Sequence, residues 1–207
     1  MLHYEFVPAE KASSQRLMVM LHGLGDSLEG YRWLPEVLNF PWLNYALVNA
    51  PDEYYGGFSW YDFTGDIEPG VERSRKLLCE LLDHLRARGF STEQTVLGGF
   101  SQGCLMAIEV GLRYSHRLAG VVGISGYVCH PTKLLAALSP CAMQQRLLIT
   151  HGTLDPIVPF ERTQQQVRQL QTAGLSVEWH EFVKPHTIAG GPEVRVIREF
   201  IAASFAD

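Results

Sequence analysis

No run of apolar residues in the 207-residue chain approaches the roughly 18 consecutive positions that a membrane span needs. The first fourteen residues, MLHYEFVPAEKASS, are too polar for a secretory signal. A cytoplasmic protein without stable membrane insertion is therefore expected. Blocks of like charge are also missing: 17 Lys and Arg stand against 22 Asp and Glu, for a net charge of −5, so no electrostatic grip on nucleic acid is expected. Cysteine is sparse. Cys79, Cys104, Cys129 and Cys141 form no C-x-x-C pair and have no histidine at zinc-finger spacing, which predicts buried free thiols. There is no His-x-x-x-His pair, so a metal-dependent hydrolase built from His22, His151 and His186 has the residue types without the ligand spacing. No metal or organic cofactor is expected. With no internal repeat, no low-complexity linker and 46% hydrophobic residues, the chain reads as one domain over residues 1–207.

What is present is organised around Thr95 to Ala107, TVLGGFSQGCLMA. A short apolar run ends in Gly99-Phe100-Ser101-Gln102-Gly103, and a helical pattern with Leu105, Ile108 and Leu112 starts at once. Gly-x-Ser-x-Gly at a strand-to-helix junction puts a serine on a turn too sharp for bulky neighbours and aims its hydroxyl above the sheet.

Around this stretch, near-continuous apolar runs at Arg16–Leu21, Tyr45–Val48, Leu118–Ser125 and Arg146–Thr150 read as strands buried on both faces, with Tyr4–Val7 as an edge strand and Val177–Phe182 as a last one. Helices are expected over Gly30–Leu38, from Val71 to Leu85 with Gly89 as stop, over Phe160–Ala173 with Val167 and Leu170 inward, and over Glu193–Phe205. Asp52–Pro69, rich in aromatics and glycine, has neither period and reads as a functional loop. The alternation predicts an α/β fold with a mostly parallel central sheet and helices on both faces. The connection Gly126–Gln145 is too short for a large lid domain.

A serine needs a base to take its proton and a carboxylate to orient that base. Ser101, Asp155 and His186 each fall just past a predicted strand, in the chain order Ser, Asp, His expected of a triad built across such a sheet. An oxyanion hole needs two donors: the Gln102 N–H follows the nucleophile, and Leu24, in the His22-Gly23-Leu24-Gly25 loop after the first central strand, supplies the second. His22 and His151, each followed by glycine, are read as loop-bracing hydrogen-bonders.

HGLGD at 22–26, SWYDF at 59–63, GGFSQG at 98–103, LAGVVGISGY at 118–127, HGTLDPIVP at 151–159 and the late His186 together resemble the small phospholipase/carboxylesterase group of α/β hydrolases, which includes acyl-protein thioesterases. The resemblance runs from about Arg16 to the C-terminus and implies the same triad and donors, with Trp60 beside the substrate. The chain departs from that pattern in its compact DEYYGGF segment and in the Lys-Pro that precedes His186. An open pocket lined by Leu24, Phe58, Trp60, Tyr127 and Ile157 suits an acyl chain or a small aryl ester. The expectation is a serine esterase working through an acyl-serine on a small-molecule ester or thioester. Acyl-protein thioesterase or lysophospholipase action, and a catalytically inactive binding protein of the same fold, are the alternatives. Monomer and homodimer stay open.

Overall fold

The computed structural model describes residues 1–206. In chain order the strands are β1 (Tyr4–Val7), β2 (Leu17–Leu21), β3 (Asn44–Val48), β4 (Asp52–Tyr54), β5 (Gly57–Ser59), β6 (Thr95–Phe100), β7 (Gly120–Ile124), β8 (Arg146–Gly152) and β9 (Ser176–Phe182). The helices are α1 (Leu34–Leu38), α2 (Glu68–Ala87), α3 (Gln102–Arg113), α4 (Pro131–Leu135), α5 (Phe160–Thr172) and α6 (Gly191–Ser204). Seven strands form one sheet in the order β1-β3-β2-β6-β7-β8-β9, all parallel except the β1 edge, which pairs antiparallel with β3.

Period-2 geometry sorts the continuous apolar runs into two cores. Leu17, Val19, Leu21, Leu97, Val121 and Leu147 face the side covered by α2, α3 and α5, while Met18, Met20, Val96, Val122 and Leu148 face the side covered by α1 and α6. This two-sided cover is why the central strands read as unbroken hydrophobic runs. Helix α2 turns Val71, Leu78, Leu81, Leu82 and Leu85 inward and stops at Gly89, whose φ of 100° suits glycine.

The Gly30–Leu38 helix is in fact two pieces, a 3₁₀ turn at Leu28–Tyr31 capped by the Ser27 side chain and then α1, which has Pro35 in its first turn. The segment read as an irregular loop contains a hairpin, β4–β5, with a two-residue turn at Tyr55 (φ 44°) and Gly56 (φ 90°). Two positive φ values give the mirror-image turn whose twist matches the strands, and Tyr-Gly carries that signal more weakly than Asn-Gly. All four cysteines are free, but only Cys104 and Cys129 are buried; Cys79 and Cys141 are half-buried.

The parallel strands end on one edge of the sheet. His22 follows β2, Ser101 follows β6, Asp155 lies three residues past β8 and His186 four past β9. The open edge where ligands sit in such folds thus receives every triad candidate.

Candidate active site

Ser101 has φ 55° and ψ −115°, an uncommon conformation for a residue with a side chain. Neighbouring contacts hold it there: its N–H donates to the Ile124 carbonyl at 2.9 Å and its carbonyl accepts from the Leu105 N–H at 3.2 Å. The flanking glycines are required by space. A Cβ on Gly99 would lie 2.0 Å from the Gly103 carbonyl oxygen, and one on Gly103 would lie 2.3 Å from the Leu21 carbonyl oxygen. The pentapeptide therefore reflects close backbone packing at the elbow.

His186 Nε2 is 2.9 Å from Ser101 Oγ, and His186 Nδ1 is 2.7 Å from Asp155 Oδ2. An ionised carboxylate only accepts, so Nδ1 carries the hydrogen and Nε2 is left to accept from the serine hydroxyl. The other Asp155 oxygen accepts from the Ile157 and Val158 N–H groups, each at 2.9 Å. Burial pushes the Asp155 carboxyl up, but the Val158 N–H, the His186 ring and the Ile157 N–H together outweigh it and hold the group below the usual carboxylate range. Asp155 thus forms the Asx turn of the Asp-Pro-Ile-Val-Pro loop and also orients the imidazole.

The loop that carries His186 is tied down by a buried ion pair. Lys184 Nζ donates to Glu193 Oε1 at 2.5 Å and to the Thr187 carbonyl at 2.8 Å, while Glu193 also accepts from Thr150 Oγ1 and from the Ala189 N–H, each at 2.6 Å. Both side chains are essentially inaccessible to solvent. The Lys184 carbonyl accepts from the Leu154 N–H at 3.2 Å, so one residue joins the loop of the acid to the loop of the base. Sequence patterning does not find this pair, because Glu193 in the first turn of α6 looks like an ordinary acid placed for the helix dipole.

Leu24 and Gln102 both border the groove that opens over Ser101 and His186. Neither backbone N–H has an acceptor among the described residues, so both are available to a ligand. The Gln102 side chain clamps the aromatic segment: Oε1 accepts from the Trp60 N–H at 3.0 Å, and Nε2 donates to the Tyr61 carbonyl at 2.9 Å. The Leu24 loop is fixed to the hairpin by Gly25 N–H to the Phe58 carbonyl and Phe58 N–H to the Asp26 carbonyl, both 2.9 Å. His22 braces it from below. Its Nε2 accepts from the Ala50 N–H at 3.0 Å, which leaves Nδ1–H for the Gly23 carbonyl at 2.6 Å, and burial lowers its pKa so that it stays neutral. His151 Nε2 bonds the Val158 carbonyl at 3.0 Å, and burial lowers its pKa likewise. His22, His151 and His186 do not form a cluster at metal-ligand distance. Among the described residues the one cluster with metal-ligand proximity is Asp66, Glu68 and His130, outside the groove, and Glu68 there is paired with Lys133.

The groove has a volume of about 550 Å³. Leu24, Tyr127 and Ile157 border it, together with Tyr61, Phe63, Phe100 and Arg162. Trp60 and Phe58 need correction. Trp60 is fully buried under the site, with Nε1 donating to the His22 carbonyl at 2.9 Å, because the chain turns inward after β5. Phe58 packs partly buried against the core and serves the Leu24 loop through its backbone. Gln102 clamps the backbone of Trp60 and Tyr61, both of which are fully buried, and that bond has no signature in local sequence.

Residues 2–205 match the family described as Phospholipase/Carboxylesterase. A curated relative, acyl-protein thioesterase 1 of Schizosaccharomyces pombe, is 36% identical over 155 residues, covering 69% of each chain. The Yarrowia lipolytica protein of the same name is 27% identical over 195 residues, covering 85% of this chain and 86% of that one. Among solved structures, esterase PE8 superposes with a TM-score of 0.87 at 29% identity, covering 97% of this chain and 98% of that one. Zea mays acyl-protein thioesterase 2 shares the fold with a TM-score of 0.82 at 24% identity, over 99% of both chains. The family match spans residues 2–205 and the superposition on esterase PE8 covers 97% of the chain, which belongs to the phospholipase/carboxylesterase family of α/β hydrolases.

Proposed function

We propose that residues 1–207 act as one α/β-hydrolase domain that cleaves carboxylic esters or thioesters through an acyl-Ser101 intermediate. The continuous hydrogen-bonded line Ser101 Oγ, His186, Asp155, set on a strained elbow, carries this reading. Ser101 Oγ attacks the carbonyl carbon while its proton moves to His186 Nε2. Asp155 stabilises the imidazolium through Nδ1–H. The negative oxygen of the tetrahedral intermediate takes the Leu24 and Gln102 N–H groups, and collapse expels the alcohol or thiol with the proton from Nε2. Water, deprotonated by the same nitrogen, then releases the acid.

The complete triad argues against an inactive binding protein. Thioester cleavage is a second form of the same chemistry, favoured by the relatives named acyl-protein thioesterase. A small-molecule ester suits the groove, and no helix among the described residues is long and apolar enough to cross a membrane. The test is Ser101→Ala: kcat on an aryl ester should fall about 10⁴- to 10⁶-fold, with loss of fluorophosphonate labelling. Retention of a tenth of the turnover rejects the assignment.

A further inference from the structure

We propose that Arg162 is a specificity-determining residue and that the preferred substrate carries a planar or tetrahedral oxyanion, a carboxylate or a phosphate, beside its ester. This deepens the reading of Ser101 as nucleophile and rests on it. Arg162 lies in the first turn of α5 and borders the same groove as Ser101 and His186, whose walls are otherwise largely apolar. Its guanidinium carbon sits 4.6 Å from the centroid of the Tyr127 ring. Among the described residues it has no ion-pair partner, whereas Arg32, Arg73, Arg86 and Arg113 each have one.

The placement is built rather than incidental. The Tyr127 hydroxyl is 3.1 Å from that of Tyr61, which is fully buried. Helix α5 is clamped to the segment bearing Tyr127 by three further bonds: Thr163 Oγ1 donates to the Gly126 carbonyl, and Gln166 both accepts from the Val128 N–H and donates to the Val128 carbonyl, all at 2.9 Å. The Tyr127 ring and the turn of α5 that carries Arg162 are therefore held in register before any ligand arrives.

A guanidinium stacked on an aromatic face has lost part of its weak hydration and keeps its in-plane donors free for a bidentate oxyanion. A neutral acyl chain gains nothing from it. None of the nearby carboxylates pairs with Arg162: Asp26, which borders the same groove, accepts from the Ser27 N–H at 2.7 Å, exposed Glu161 precedes Arg162 in the first turn of α5, and Asp155 is saturated by its loop and by His186. The guanidinium of Arg162 thus borders the groove without an ion pair to any carboxylate among the described residues and is left for the substrate.

The experiment compares wild type with Arg162→Gln on matched ester pairs. p-Nitrophenyl butyrate against mono-p-nitrophenyl succinate puts a carboxylate on the acyl side. Methyl 4-butyryloxybenzoate against 4-butyryloxybenzoate puts one on the alcohol side, and 4-butyryloxyphenyl phosphate replaces it with phosphate. In wild type, kcat/KM for at least one anionic member should exceed that of its neutral mate. Arg162→Gln should lower that anionic-to-neutral ratio about five-fold or more, and Arg162→Lys should lower it less. Added salt should erode the wild-type ratio and leave that of Arg162→Gln flat. A ratio that is the same in wild type and Arg162→Gln for every pair overturns the proposal. Hydrolysis of the neutral esters, abolished by Ser101→Ala, reports on the nucleophile separately; failure to cleave any member of any pair overturns both readings.

Discussion

Exchanging Lys184 for methionine keeps most of the aliphatic stem and removes the ammonium, leaving Glu193 buried without its counter-charge. Breaking a buried pair by deleting one partner costs about 3–5 kcal/mol, because the remaining charge stays desolvated. Here Glu193 keeps the Thr150 hydroxyl and the Ala189 N–H, which places the loss near the lower end, about 3 kcal/mol. For a chain of this size that corresponds to a fall in Tm of roughly 6–12 °C. The Thr187 carbonyl loses its donor as well, so His186 should sit less well against Ser101, and kcat should fall about ten-fold at a temperature where the variant is fully folded. Urea unfolding of Lys184→Met, Glu193→Met and the double variant forms a thermodynamic cycle. The double variant should regain most of the stability, since two apolar side chains replace two charges. A single-variant loss below about 1 kcal/mol, or a double variant that merely sums the two losses, refutes the argument.

Trp60→Ala should cost about 3–5 kcal/mol in chemical denaturation while the acyl-length profile keeps its shape, because the side chain is core beneath the groove; a shortened profile at unchanged stability rejects this. Gly99→Ala should yield little folded protein, read by soluble yield and circular dichroism, since its Cβ would overlap the Gly103 carbonyl. Stability should fall on acidification. His22 and His151 have folded pKa values below the ordinary 6.5, so between that value and their lowered ones the unfolded chain binds more protons, and each contributes up to about 1.4 kcal/mol per pH unit, present above about pH 6.5 and lost below it. His22→Gln should flatten the urea-derived slope; an unchanged slope counts against a neutral buried His22.

The buried strands were legible because both faces of a parallel sheet are covered, which writes RLMVML and RLLIT as unbroken apolar runs. Ser101, Asp155 and His186 were legible through their places just past strand ends, and the distances bring the three together. What escaped depends on partners distant in the chain. Trp60 and Tyr61 are adjacent aromatics in one motif, the Gln102 amide, some forty residues on, holds the backbone of both, and both are buried in the core, with Tyr61 alone also bordering the groove. Nothing in the spacing of Lys184 and Glu193 marks them as partners, and only the packing of α6 over the end of β8 makes them a buried pair.

The hairpin β4–β5 has a consequence for how this site diversifies. Its middle rung, at Phe58, shares two backbone bonds with the loop of Leu24, whereas its tip, Tyr55, is 95% exposed. Length can therefore be added at the tip without disturbing that rung, but only in steps of one residue per strand. A single inserted residue reverses the alternation of every side chain beyond it, whereas a pair preserves it. Tyr54 touches Phe63, which borders the groove, so each added rung extends a wall next to the substrate. Descendants of this chain are free to explore new acyl or alcohol shapes in increments of two residues, with the reaction machinery held constant.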